Sequence, residues 1–548
     1  MNYRPSRRTP AWTVILVCVA LFMIVLDMTI VAVALADIQH DFDASLSDLQ
    51  WVIDAYTLPL AGFLLTAATM GDRIGRRRVY SWGLTLFTLG SLACALTRSS
   101  FELDVARAFQ GVGGALLLGV GLPLIGAAFP DPAKRAIGVG AYGATLSAAT
   151  AVGPLLGGVL VDGPGWRWIF LVNVPIGVIA LVAAAFRLGN SRSPNPRRAD
   201  WVGTFLLSGA LVGLVLGLIR GNGDGWTSPF ILGLFGAAAV LLACFVPWEL
   251  RRRDPMLELR LFRVPAFTAI GFGALAISAT LIASTSYLAL YMQNALGYTP
   301  WETGIRFLPL TVASFFASLI GAALFHKVPL RWLLGGSLIL SAEGMLLLAR
   351  TNGNLTWATL IPGFVVAGIG LGVSSAVISY GSLTCPPSQA GMATGTLSTL
   401  RQIGVAGGVG MLGALFTSQA EGTATTRLDG APLPDGAVRD LIDAIGAGAG
   451  IRIAEKVPAL ARGWLSEIAQ AASADGLNAV LLVGGGVAAL SAIAAFVLIR
   501  GRAGGAPDPS AYEIVLDPEP APVHHRRYQR VPARPFEPEP DRPYVPIH

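Results

Sequence analysis

Residues 12–36 read WTVILVCVALFMIVLDMTIVAVALA, an apolar run that contains a single charged side chain, Asp27. A helix rises about 1.5 Å per residue, so a run of this length crosses the roughly 30 Å hydrocarbon layer of a membrane. Arg4, Arg7 and Arg8 precede the run as they would in a cleaved signal peptide. The run is too long for such a peptide, whose apolar part spans roughly 7–15 residues. The sequence therefore predicts a retained membrane helix with a carboxylate inside it.

Similar runs recur along the whole chain of 548 residues. Hydrophobic residues make up 53% of the chain and charged residues only 13%, whereas soluble domains contain about 25% charged residues. This composition excludes a soluble globular enzyme. We expect an all-α polytopic membrane protein with fourteen spans, near residues 12–36, 49–70, 79–97, 103–129, 136–161, 168–186, 201–219, 229–248, 266–293, 307–325, 332–349, 357–383, 390–417 and 477–499.

The basic residues between the spans predict the orientation in the membrane. An even number of spans places both termini on one side, and the short loops on that side contain Arg73, Arg76, Arg77, Arg78, Lys134, Arg135, Arg187, Arg192, Arg197, Arg198, Arg251, Arg252, Arg253, Arg260 and Arg263. Loops rich in lysine and arginine stay in the cytoplasm. Both termini are therefore expected in the cytoplasm. The net charge of +6 lies in short clusters rather than one stripe, so no nucleic-acid partner is expected.

Two segments lie outside the predicted spans. In the outer loop 418–475, apolar residues repeat at helical spacing, namely Val438, Leu441, Ile442, Ile445, Leu460, Trp464 and Ile468. They predict short amphipathic helices on the membrane or over the transport path; a loosely ordered connector is the alternative. The tail, residues 500–548, is rich in proline and mixed charge and is expected to be disordered.

Charged residues inside the spans are the candidates for function, because a charge at the bilayer centre costs at least about 2.5–3.5 kcal/mol. They are Asp27, Asp54, Arg107, Glu343 and Arg401. Depth along the helices predicts that Asp27, Asp54 and Arg107 share the outer half of one cavity. There the guanidinium would stabilise a carboxylate and release it on protonation; the alternative is an ion pair that locks neighbouring helices. The acids would also attract cationic substrates.

The other two charges lie in the second half of the chain. Glu343 is either a second proton site or cation-binding acid, or a neutral glutamate hydrogen-bonded within the bundle. Arg401 lies near the middle of its span. It either polarises an acid across the cavity or fixes helix packing.

Two short motifs indicate moving helix interfaces. The inner loop MGDRIGRRRVY begins at Met70 and combines one acid with four arginines, so its salt bridges could lock the cytoplasmic face. The stretch AVGPLLGG begins at Ala151 and places a proline beside glycines in a predicted helix. Small residues allow close helix approach and proline bends a helix, which favours a hinge or interhelix role over generic packing.

Taken together, LDMTIVAVAL, GDRIGRRR, RAFQGVGGALL, AVGPLLGG and GWRWIFLVNVPIG occur in an order and spacing that resemble the major facilitator superfamily, specifically its 14-span drug:proton antiporters. The resemblance implies a cytoplasmic N-terminus, 1–11; a six-helix bundle, 12–186; a linker with two additional spans, 187–265; a second six-helix bundle including the outer loop, 266–499; and a cytoplasmic tail, 500–548. It also implies a central cavity that opens alternately to each side.

The resemblance assigns roles to matched positions in this chain. Asp27 and Asp54 stand where the family has membrane acids linked to substrate and protons, and Arg107 stands in its proton-relay motif. The cytoplasmic gate motif is matched by Asp72, Arg73, Gly75 and Arg76. The antiporter motif is matched by Gly153, Pro154, Gly157 and Gly158. The chain departs from the gate motif at Ala68, where the family usually has glycine.

We therefore expect a proton-coupled exporter of multiple drugs or lipophilic compounds in a bacterial plasma membrane, acting as a monomer with no cofactor beyond the proton gradient. Export of an endogenous lipid or secondary metabolite is the alternative within transport. A membrane-embedded enzyme is the remote alternative. None of the five histidines lies in a predicted span and no G-x-S-x-G motif occurs, so enzymatic activity is not expected.

The predicted orientation can be tested by cysteine labelling in a variant without native cysteines. Arg260→Cys and Gly505→Cys should react with an impermeant maleimide only after permeabilisation, and Asp43→Cys and Asp224→Cys should react in intact cells, because the basic loops stay inside. Labelling of residue 224 only from the cytoplasm would contradict the assignment of 201–219 and 229–248 as a conventional pair of spans.

Overall fold

The computed structural model describes residues 10–129, 131–189, 191–192, 200–252, 255, 257, 259–325, 327–349, 357–381, 390–429, 435–448 and 459–499. Its long helices are α1 Pro10–Phe42, α2 Leu46–Ile74, α3 Arg76–Leu96, α4 Ser100–Ala128, α5 Pro132–Asp162, α6 Trp168–Arg187, α7 Trp201–Asp224, α8 Pro229–Arg251, α9 Pro265–Ala295, α10 Pro300–Leu324, α11 Leu330–Leu348, α12 Trp357–Gly381, α13 Ala390–Leu428 and α15 Ala459–Leu498. A shorter helix, α14 Asp435–Gly446, lies between the last two.

The membrane-crossing helices confirm the predicted all-α fold. In the described part of the chain, 13 helices are long and apolar enough to cross a membrane, and the bent helix α5 brings the number up to 14. The two halves of α5, Gly140–Thr150 and Val152–Asp162, meet at 42°. Pro154 has no N–H to donate to the carbonyl of Thr150, so the helix bends at this point.

Two sets of helices pack around a common centre. Helices α1 to α6 contact one another, as do α9 to α13 with α15. The linker helices α7 and α8 pair with each other, and α7 packs on α2 and α13, at the seam between the sets. Gly62 of α2 makes this approach possible, since an added Cβ would lie 3.1 Å from Ser208 Cβ of α7. The exact domain limits remain a prediction.

Each span crosses the membrane once, so successive spans alternate in direction. We call the end where α2 joins α3, beside Arg73 and Arg76, the basic end, and the other end the opposite end. Gly75 ends α2 with a φ of 110°, a value that favours glycine. The odd-numbered spans α1 to α13 therefore run from the basic end to the opposite end, and the even-numbered spans and α15 return.

The region 418–475 differs from the expected pair of short helices. Helix α13 continues to Leu428, and Trp464 and Ile468 belong to the start of the long helix α15. No proline interrupts the sequence between residues 459 and 498, so one helix continues through the membrane segment and beyond it. Helix α14 is amphipathic as predicted, and it buries Leu441 and Ile445. Residues 1–9 and the tail 500–548 lie outside the described residues.

Candidate functional site

Asp27 lies near the middle of α1 and is fully buried. Its Oδ2 atom pairs with the Nη1 group of Arg107 from α4. Its Oδ1 atom accepts hydrogen bonds from Gln110 Nε2 at 2.8 Å and from Asn173 Nδ2 of α6 at 3.4 Å. Three helices of the first bundle therefore converge on one carboxylate.

Arg107 has further partners besides Asp27. Its Nε group donates to the carbonyl of Val52 in α2 at 3.0 Å, and its Nη1 group also donates to Gln110 Oε1 at 2.8 Å. The guanidinium carbon lies 4.2 Å from the centre of the Tyr56 ring, within cation–π range. A buried ion pair is tolerated when its remaining donors and acceptors are also satisfied. The structure thus shows the predicted pairing of Asp27 with Arg107.

Asp54 lies apart from this network, which corrects the expectation that the three charges share one cavity. The side chain is fully buried in α2. Its Oδ1 accepts a hydrogen bond from Thr57 at 3.4 Å, and its Oδ2 has no hydrogen-bond partner among the described residues. No ion pair joins it to Arg107 within the described ranges. Asp54 is therefore a second, separate buried acid.

Asp54 lies one helical turn from a contact between the bundles. Gln50 of α2 donates to the hydroxyl of Tyr287 in α9 at 3.2 Å, and that hydroxyl donates to the carbonyl of Val409 in α13 at 2.5 Å. An added Cβ at Gly413 would collide with both side chains. This contact closes the two bundles against each other near the opposite end.

The antiporter motif faces two neighbours at once. Gly157 packs on α1, where an added Cβ would lie 2.9 Å from Ile30 Cγ1, and Gly153 packs on Thr29 of the same helix. Gly158 faces the other bundle: an added Cβ would lie 2.6 Å from the carbonyl oxygen of Pro300 at the start of α10. Helix α5 thus packs closely on both α1 and α10 at glycines, where a larger residue would collide with Thr29, Ile30 or the backbone of Pro300.

Polar side chains complete the closure at the opposite end. Gln39 of α1 donates to the carbonyl of Ala447 at 2.8 Å and accepts from Asn294 of α9 at 2.9 Å. Gln293 donates to the carbonyl of Val33 at 2.8 Å. The first bundle is therefore held to the second at this end by direct hydrogen bonds as well as by glycine contacts.

A cavity of about 310 Å³ lies between the bundles, within the range of small-molecule sites. It reaches Ala322, Ser379 and Thr394, each within about one turn of the basic-end terminus of its helix. Its wall is mostly apolar with scattered hydroxyl and amide groups, among them Thr29, Tyr56, Thr57, Tyr142, Thr150, Ser286, Thr311, Ser314, Ser375, Ser398 and Gln402.

The charges on the described part of the cavity wall are both positive. Arg107 and Arg401 line the cavity, whereas Asp27 and Asp54 do not. The expectation that the two acids face the substrate directly is therefore wrong for this conformation. Arg401 extends from α13, and Tyr142 of α5 lies within its electrostatic range.

Glu343 occupies neither of its predicted positions. The side chain is exposed on α11 and is absent from the cavity wall. Its neighbour Gly344 faces inward, where an added Cβ would lie 2.6 Å from Ala367 Cα of α12. Gly344 therefore lies on the inward face of α11, and the side chain of Glu343 points away from the bundle. Neither a proton site in the cavity nor a glutamate buried within the bundle fits this geometry.

The predicted gate motif ties helices of the first bundle together at the basic end. Arg76 Nη2 pairs with Asp72 at 2.8 Å, and its Nη1 donates to the carbonyl of Pro123 in α4 at 3.1 Å. Arg73 is exposed. Within the described ranges, the ion pair and hydrogen bonds of this motif do not reach the second bundle. Its role as a gate stays a prediction.

Several residues of the site were not identified from the sequence. Gln110 lies three residues after Arg107, so both project from the same face of α4, and this spacing could have indicated it. Asn173 is the lone amide in an apolar run. The pairing of Gln50 with Tyr287 could not be predicted from a local sequence pattern, because the two residues are 237 positions apart.

Comparison with known proteins identifies the family. A family model described as Major Facilitator Superfamily matches residues 17–409. The chain is 36% identical over 441 residues to the Multidrug resistance protein Stp of Mycobacterium tuberculosis, covering 79% of this chain and 81% of that protein. It is 34% identical over 505 residues to the Tetracenomycin C resistance and export protein of Streptomyces glaucescens, covering 89% and 91%.

A solved structure is similar in fold. It is a bacterial homolog of the human lysosomal transporter Spinster in an inward-facing, unoccupied conformation. The TM-score is 0.61 at 17% sequence identity, with 90% of this chain and 98% of that chain covered. At this level of identity the likeness shows a shared fold.

The buried ion pair predicts a non-additive response to mutation. Arg107→Gln should lower the apparent Tm of the purified protein strongly, because breaking a buried pair costs about 3–5 kcal/mol when the partner charge remains. Adding Asp27→Asn should recover most of that loss, because no unpaired charge is left. Thermal unfolding of both single variants and the double variant measures this. Equal and additive losses would contradict the coupling of the two charges.

Proposed function

The chain belongs to the major facilitator superfamily, and we propose that it is a proton-coupled exporter of amphipathic or lipophilic drug-like compounds that works by alternating access. The observation on which the proposal rests is the cavity between the bundles, which reaches the basic end and is closed at the opposite end. The names of its relatives, a multidrug resistance protein and a resistance and export protein, support export of small molecules. Such transport needs no catalytic residue and no cofactor.

The closure at the opposite end supports alternating access as the mechanism. The bundles touch there through glycines at the backbone and through a few hydrogen bonds, at Gly158 with Pro300 and at Gln50 with Tyr287. Such contacts can separate as a unit when one bundle rocks against the other. In that second state the cavity would close at the basic end, where the gate motif lies.

We assign the exchangeable protons to Asp27 and Asp54. Asp54 is buried beside the closing contact, and an ionised carboxylate without a counter-ion is costly to bury. A proton bound to its partnerless Oδ2 removes that cost. Separation of α2 from α9 would bring Asp54 to water at the opposite end. Asp27 loses the support of Arg107 if α1 and α4 shift relative to each other, so its charge also depends on the conformation.

The remaining features of the proposal concern location and assembly. The basic loops place the basic end and both termini in the cytoplasm of a bacterial plasma membrane. The cavity then faces the cytoplasm in this conformation. One chain contains both bundles and the complete cavity, so we propose that the monomer is the transport unit.

Export of a compound that the cell itself makes is the second candidate. The relative from Streptomyces glaucescens combines resistance and export of tetracenomycin C in its name, and the same mechanism would export a compound made inside the cell. An apolar cavity with scattered hydroxyls accepts either class of compound.

Proton coupling is tested with inverted membrane vesicles. An acid interior should drive accumulation of an amphipathic dye such as fluorescein, and an uncoupler should abolish it. Asp27→Asn should lose this gradient-driven accumulation by about tenfold or more, and Asp54→Asn should impair it, because neither amide can exchange a proton. Ligand-induced fluorescence changes of the purified variants check that dye binding survives.

Glu343→Gln is the matched control for this experiment. Glu343 is an acid within a span, but its side chain does not line the cavity. The variant should transport like the parent protein. Full gradient-driven transport by both Asp27→Asn and Asp54→Asn would overturn the assignment.

The role of the glycine contact is tested at Gly158. Gly158→Leu places a side chain where the carbonyl of Pro300 lies and should weaken closure at the opposite end, since a packed interface cannot accept the added atoms. A single cysteine at position 293 should then react faster with an impermeant maleimide from outside intact cells. Gly126→Leu is the control, because an added Cβ at Gly126 meets no atom within 4 Å and Gly126 does not line the cavity. Equal labelling of both variants would contradict the assigned role.

A further inference from the structure

Arg401 differs from every other charged residue on the described cavity wall. It lies in α13, lines the cavity and is half-buried. Within the described ranges the guanidinium has no ion pair and no hydrogen bond, and its electrostatic neighbour is the uncharged hydroxyl of Tyr142 across the cavity. The five N–H donors of its planar fork are therefore available to a molecule in the cavity.

Arg107 shows what a structural arginine looks like in the same protein. Its donors reach Asp27, Gln110 and the carbonyl of Val52, and two aromatic rings flank it. The charge of Arg107 is balanced by the carboxylate behind it. The charge of Arg401 has no such balance, so the described wall of the cavity has a net positive charge.

The surroundings of Arg401 are suited to binding a polar group. Ser398 and Gln402 extend from the same face of α13 into the cavity, as residues three or four positions apart on a helix do. Gln402 is 8% exposed, and its Oε1 atom has no hydrogen-bond partner among the described residues. The rest of the cavity is apolar, with Ile24, Met28 and Leu310 on its wall.

We propose that the cavity recognises amphipathic substrates by an anionic group, a carboxylate, sulfonate or phenolate, bound by Arg401 beside an apolar or aromatic body. This specificity rests on the proposed transport function of the cavity. A guanidinium binds such oxyanions through two parallel hydrogen bonds, and the pairing is stronger in a partly desolvated cavity than in water. A lipophilic cation would meet a wall of like charge and no acid within the described part of it.

Binding of two dyes of opposite charge tests this proposal. Fluorescein and rhodamine 6G share a xanthene ring system, and the first is an anion whereas the second is a cation. Fluorescence anisotropy with the purified full-length protein in neutral detergent measures both without any proton gradient. The parent protein should bind fluorescein at least about tenfold more tightly than rhodamine 6G, as expected for a charge-assisted pair.

Three variants separate a binding role from a packing role. Arg401→Gln should weaken fluorescein binding by about tenfold or more and leave rhodamine 6G unchanged or tighter. Arg401→Lys keeps the charge without the planar fork, so its affinity for fluorescein should lie between that of the parent and that of Arg401→Gln. Arg427→Gln removes an exposed arginine from the same helix and should behave like the parent. Thermal unfolding checks that all variants are folded.

A parent protein that prefers rhodamine 6G would overturn the proposal, as would equal loss of both dyes in a folded Arg401→Gln variant. A different result would contradict the proposed function, namely dye transport in inverted vesicles that does not depend on the pH gradient. Because the binding assay uses no gradient, the charge preference is decided whether or not transport is proton-coupled.

Discussion

The ion pair between Asp27 and Arg107 joins most of the first bundle. A charge inside a membrane must find its partners within the protein, because lipid supplies none. Here the carboxylate of Asp27 in α1 binds side chains from α4 and α6, and the guanidinium of Arg107 in α4 donates to a backbone carbonyl of α2. The rotation of these helices about their own axes is thereby fixed, and with it the face that each presents to the cavity.

Helix α5 links that network to the interface between the bundles. Two of its glycines lie on α1 within one turn of Asp27, and a third touches the backbone of α10. A displacement of α10 at the opposite end would therefore reach the helix that carries Asp27 through these close contacts of α5. Close-packed interfaces change between discrete arrangements rather than deforming gradually. The bend near Pro154 provides the place where the two halves of α5 can move separately.

The sequence predicts the spans well because crossing a membrane requires a continuous run of apolar residues, and such a run can be recognised directly in the sequence. It also indicates the pair of Asp27 and Arg107, the gate loop and the antiporter glycines. The directions in which the side chains of Asp54 and Glu343 point could not be predicted from such a pattern. Helices that are apolar on all sides have little hydrophobic asymmetry, so the sequence does not reveal which face turns inward. Gly344, not Glu343, faces the neighbouring helix, and only packing decides this.

The separation of the acids from the cavity wall constrains how the proposed exchange of protons and substrate can take place. If an acid lined the cavity, substrate and proton could compete for the same carboxylate. In this conformation the described wall presents two arginines, while Asp27 lies behind one of them and Asp54 lies beside the closing contact. Substrate and proton then meet different groups. In the proposed mechanism their exchange is linked by the change between states, since that change alters the surroundings of both acids and the access to the cavity together.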